Sequence, residues 1–118
     1  MNFLSPRIHG ILDYFTAGLF ALAPIFLQAD GSQVAIFSCY VVAGTLLVLS
    51  LLTRYPPGVL RIIPFPVHGS IEFFTAVGLC ALPWIGGFAE LPMSRMFFLG
   101  SGMSLLSLWL ITDYRGAE

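Results

Sequence analysis

The chain has 118 residues, of which 58% are hydrophobic and 9% charged, with a net charge of −1. A soluble domain carries about 25% charged residues, so this composition excludes an ordinary water-soluble globule and points to an integral membrane protein. There is no lysine and no basic run, so no nucleic-acid partner is expected.

Four apolar stretches follow one another, each close to the roughly 20 residues that a helix needs to cross about 30 Å of hydrocarbon. The first runs from about Ile8 to Leu27 and carries Asp13 and Pro24. Arg7 followed by an apolar run imitates a secretory signal, but Asp13 is badly placed for one. The segment also has an internal twin, so it is expected to be retained. The second stretch, Val34 to Thr53, has no charge and no polar alternation, which argues against a β-barrel strand.

Between the second and third stretches, Arg54 to Pro66 holds four prolines, which forbid a regular helix throughout. Its apolar residues suit the membrane interface, and Phe3 to Arg7 is its counterpart at the start of the chain. The third stretch, Val67 to Phe88, carries Glu72 and Pro83, and the fourth runs from about Met93 to Thr112. Tyr14, Tyr55, Tyr114 and Trp109 on one side, with Trp84 on the other, read as an interfacial aromatic belt. Cys39 and Cys80 fall inside predicted helices, far from any CxxC spacing, and read as small apolar residues.

The chain repeats itself. His9-Gly10-x-Leu12-Asp13-Tyr14-Phe15-Thr16-Ala17 returns 59 residues later as His68-Gly69-x-Ile71-Glu72-Phe73-Phe74-Thr75-Ala76. Pro24 meets Pro83, and Leu49-x-Leu51-x-Thr53-x-Tyr55 meets Leu108-x-Leu110-x-Thr112-x-Tyr114. The predicted organisation is therefore two tandem two-helix units, 1–59 and 60–118, in one bundle. Each unit crosses twice, so the copies are expected to be parallel. The fold class expected is an all-α integral membrane protein with four transmembrane helices as two parallel tandem helical hairpins. Arg7, Arg54, Arg61 and Arg115 flank one side against Arg95 on the other, which predicts both termini in the cytoplasm.

On a helix, residues four apart lie about 40° apart and residues seven apart about 20° apart. His9, Asp13 and Thr16 thus form one stripe, and His68, Glu72 and Thr75 a second at the same depth. Ionisable groups in a membrane rarely face lipid, so both stripes are expected to point inward, toward each other. Three readings of this cluster stand side by side. In the first, each histidine pairs with its own carboxylate at i+4, each threonine bonds back to Leu12 or Ile71, and the cluster only holds the bundle together. In the second, two histidines and two carboxylates bind a divalent metal such as zinc, manganese or iron, or the histidines bind a haem. In the third, the carboxylates and histidines relay protons or ions. Pro24 and Pro83 free the carbonyls of Phe20 and Leu79 and predict paired kinks.

Two-helix units that each carry a proline step late in the first helix resemble the SPW-repeat family of small prokaryotic membrane proteins. The positions read Ala23-Pro24-Ile25 and Leu82-Pro83-Trp84, so only the proline is kept in both. The resemblance implies a prokaryotic inner-membrane protein without an established activity. The chain has no nucleophile motif, phosphate loop or cysteine cluster, and no cofactor is required by its sequence. The leading expectation is a non-enzymatic structural or accessory subunit, or a homo-oligomer, whose partners are the lipid bilayer and other membrane proteins or further copies of itself. The runner-up is an ion-, proton- or metal-handling protein acting through His9, Asp13, His68 and Glu72.

Overall fold

The structure, a computed structural model, describes residues 3–117. It is all-helical, and four helices are long and apolar enough to cross a membrane. Helix α1 spans Pro6–Leu22 and continues as a short α2, Pro24–Leu27, and a 3-10 turn, Gln28–Asp30. Helix α3 spans Gln33–Leu52, α4 Phe65–Ile85 and α5 Pro92–Ile111. With α2 counted as the end of the first span, these bounds lie within about three residues of the four apolar stretches, as expected where composition alone dictates the element.

Local signals set the ends. Ser5 caps α1, its hydroxyl accepting from the Ile8 amide, and Pro6 occupies the first position, where its missing N–H costs nothing. Ser32 caps α3 through the Ala35 amide. The cap of α5 is tertiary: Asp30 accepts from the Ser94 amide at 2.7 Å and sets a negative charge at the helix N-terminus. Gly31 ends the first span in the left-handed region, at φ 76°.

The two prolines expected to kink their helices sit in different surroundings. Pro24 divides the helix at Ala23, whereas Pro83 lies inside an unbroken α4. Pro83 lacks the N–H that would bond the Leu79 carbonyl, and α4 runs on to Ile85, with the Gly86 amide bonding Leu82.

Helix α1 packs on α3, and α4 on α5. Gly102 permits the second contact, since a Cβ there would meet the backbone of Ala76 and Cys80. The apolar core contains Phe20, Leu27, Cys39, Ala43, Ala76, Leu79, Phe88 and Phe98. Phe15, Phe37, Phe74 and Ile85 are each at least 69% exposed, which would be costly in water and is favourable against lipid tails.

The connections close one end of the bundle. Strand β1, Thr53–Arg54, pairs in parallel with β2, Ile63–Pro64, Thr53 opposite Ile63. Leu4 makes the same kind of bridge to Thr112. Thr53 corresponds to Thr112, and Leu4 to Ile63, under the 59-residue shift. Each half thus ends by pairing with the start of the other. This brings the N-terminal turns of α1 and α4 together with the C-terminal residues of α3 and α5.

Candidate functional site

His9 and Asp13 lie on the first turns of α1, and His68 and Glu72 on the first turns of α4. All four are fully buried. A Cβ at Gly10 would sit 2.6 Å from Pro57, and one at Gly69 2.6 Å from Tyr114. These glycines therefore let the chain segments that follow α3 and α5 close over the histidines.

The histidines meet both carboxylates. His9 Nε2 lies 3.2 Å from Asp13 Oδ1 and 3.0 Å from Glu72 Oε2. His68 Nε2 lies 3.0 Å from Asp13 Oδ2 and 2.7 Å from Glu72 Oε2. The expected local i+4 pairs are present at 3.2 and 2.7 Å, and they are joined by cross-pairs between α1 and α4 at 3.0 Å each. One donor atom from each of the four residues falls within 4.8 Å of the others.

The opposite ring nitrogens are held by two threonines. His9 Nδ1 lies 2.7 Å from Thr112 Oγ1, and His68 Nδ1 lies 2.7 Å from Thr53 Oγ1. Each threonine donates its single hydroxyl proton to a carbonyl one turn earlier, Thr53 to Leu49 and Thr112 to Leu108. Its oxygen can then only accept, so both Nδ1 atoms carry a hydrogen and donate it. Every Nε2 is consequently turned toward the carboxylates. A bare nitrogen lone pair and a carboxylate oxygen repel at these distances, so a proton, on nitrogen or on a carboxyl oxygen, or a bound cation must sit between them.

Aromatic rings wall the site. Phe65 stacks edge-on to His9 at 5.2 Å and tilts against Tyr55 and Tyr114 at 5.1 and 4.6 Å. Tyr55 donates to Asp13 Oδ2 at 3.0 Å. Burial, reinforced by the Asp13 charge, pushes the Tyr55 phenol far up, so it stays a neutral donor. Burial, with Glu72 and then Asp13, does the same to Tyr114. The Tyr114 hydroxyl approaches Thr112 without completing a hydrogen bond, and Glu72 Oε1 also has no partner among the described residues.

Two sequence assignments change. Thr16 and Thr75 do not join the cluster; they are half-buried and bond back to Leu12 and Ile71. Seven residues of helix leave them about 20° from the histidines but a further turn away, beyond reach. Tyr55 and Tyr114, read as interfacial anchors, are walls of the site instead, and Tyr55 is only 2% exposed. The residues that sequence reasoning missed are Thr53, Thr112, Tyr55, Tyr114 and Phe65. The first four stand in the second repeated string, which marked them without indicating what they touch. A haem suits this arrangement poorly, because carboxylate oxygens occupy the gap between two rings whose centroids are 5.6 Å apart.

No protein-family model matches the chain, and neither curated proteins nor solved structures give a match. These comparisons lend no support to the resemblance to the SPW-repeat family.

Proposed function

We propose that this protein is an integral membrane protein of two parallel helical hairpins, and that it handles a cation at the His9–Asp13–His68–Glu72 centre. The observation that carries the reading is the convergence of two buried imidazole nitrogens on two buried carboxylates, with both Nδ1 atoms already committed to threonines. Two carboxylates in a low-dielectric interior are costly unless positive charge balances them. The unpartnered Glu72 Oε1 adds unused ligand capacity at the same place.

The bundle sits in the bilayer through its four apolar spans. The excess of arginines at the end that carries the site supports cytoplasmic termini. The same contacts support a second reading, that of an accessory protein whose cluster is only a clamp. His9–Thr112 and His68–Thr53 both tie one half of the chain to the other.

Purification in mild detergent, followed by elemental analysis and titration with alkali, alkaline-earth and first-row transition ions, separates the two. Cation handling predicts saturable binding near one ion per chain, lost in His9→Ala plus His68→Ala. A wild-type protein that binds none of these ions, while the double variant merely melts at lower temperature, leaves the clamp.

A further inference from the structure

Resting on the cation reading, we infer that the site selects a four-coordinate, divalent first-row transition ion of the zinc type. Thr53 and Thr112 serve as its positioning residues.

The donor set excludes the other common cations on chemical grounds. Two imidazole nitrogens and two carboxylates are borderline ligands that suit zinc, iron, cobalt or manganese. Calcium takes six to eight oxygens, and magnesium demands an octahedral oxygen shell with several waters. Neither is offered here: the four residues are fully buried, and two of the four nearest donors are nitrogen. The charge also matches. Two neutral imidazoles and two carboxylates sum to −2, so a divalent ion leaves the interior neutral, whereas a monovalent one leaves a net charge in low dielectric.

The spacing can be set against a tetrahedral site. Zinc–nitrogen and zinc–oxygen bonds of about 2.0–2.2 Å imply donor–donor edges of roughly 3.3–3.6 Å in a tetrahedron. The four nitrogen–oxygen separations are 3.2, 3.0, 3.0 and 2.7 Å. Asp13 uses one oxygen for each histidine, and one donor atom from each residue lies within 4.8 Å of the others, so closing on an ion would open these contacts and draw the longer edges in.

The outer partners complete the case. A metal-bound histidine usually donates its second N–H to an acceptor that fixes its tautomer and ring angle. Thr112 and Thr53 do this for His9 and His68, and each has its own proton tied to a carbonyl, so neither can switch to donating. A doubly protonated ring would use the same acceptor, so the threonines position the rings in either state. Each threonine comes from the opposite half of the chain, so a competent site requires both halves to be docked.

Cobalt(II) is the direct probe. Added to the purified wild-type protein in detergent, it should give the intense visible bands of four-coordinate cobalt, and one equivalent of zinc should abolish them. Magnesium and calcium in large excess should not. Thr53→Val and Thr112→Val should each weaken zinc binding about 10–100-fold while keeping the four-coordinate spectrum. Faint six-coordinate bands on wild-type protein would overturn the inference, as would displacement of cobalt by magnesium or calcium. Unchanged zinc affinity in both folded threonine variants would remove the positioning role. Absence of binding by any metal ion would instead defeat the cation reading itself.

Discussion

The two halves of the chain build the same site with different acids. In the first half Asp13, the shorter acid, divides its two oxygens between His9 and His68 at 3.2 and 3.0 Å and takes a hydrogen bond from Tyr55. In the second half Glu72, one methylene longer, reaches both histidines with a single oxygen at 3.0 and 2.7 Å. Its other oxygen has no hydrogen-bond partner among the described residues; the same holds for Asp13 Oδ1, which only approaches His9, and for the hydroxyl of Tyr114, the counterpart of Tyr55. Equivalent positions therefore do not carry equal weight. One carboxylate is held from outside by a phenol, and the other is held by the histidines it bridges.

This asymmetry can be broken at its strongest point first. Glu72→Gln removes the charge shared by both histidines, so it should destabilise the protein in detergent by about 3–5 kcal/mol, the range for breaking one partner of a buried ion pair. Asp13→Asn should cost less, because its contacts are longer and Tyr55 can still bond the amide oxygen. Equal shifts in melting temperature for the two variants would show that the acids are interchangeable.

The tyrosines come next. Tyr55→Phe deletes a hydrogen bond to a charged group and should cost about 1.5–3 kcal/mol. Tyr114→Phe deletes a hydroxyl without a hydrogen bond and should be near neutral or slightly stabilising. Denaturation of the two variants side by side measures the difference, and a Tyr114→Phe loss as large as that of Tyr55→Phe would erase the distinction. The smallest effects belong outside the centre. Thr16→Val and Thr75→Val should each change stability by less than about 0.5 kcal/mol and leave metal affinity unaltered. A marked loss of cobalt binding in either would return these threonines to the site.

Much of this was legible in the residues. Apolar runs of about 20 residues specify the four long helices, because backbone polar groups in hydrocarbon must be satisfied within the helix. The 59-residue repeat identified His9, Asp13, His68 and Glu72 as one set, since ionisable groups in such runs are driven inward. Helical geometry also anticipated that Thr16 and Thr75 would bond back to Leu12 and Ile71. It did not show that this bonding is all they do. Each of them satisfies its hydroxyl locally, and a residue one turn deeper meets different neighbours.

What the tertiary structure alone decided is who completes each histidine. Thr53 lies 15 residues before His68, and Thr112 lies 103 residues after His9. No helical spacing connects either pair. They meet because the bridges Thr53–Ile63 and Leu4–Thr112 exchange the ends of the two halves. The sequence by itself determined the helices, the repeat and the four buried ionisable groups, through local periodicity and the cost of placing charge in an apolar medium. The tautomers, the aromatic wall and the unequal roles of Asp13 and Glu72 arise only from packing. They depend on which groups compete for each proton and lone pair once the two halves are in contact.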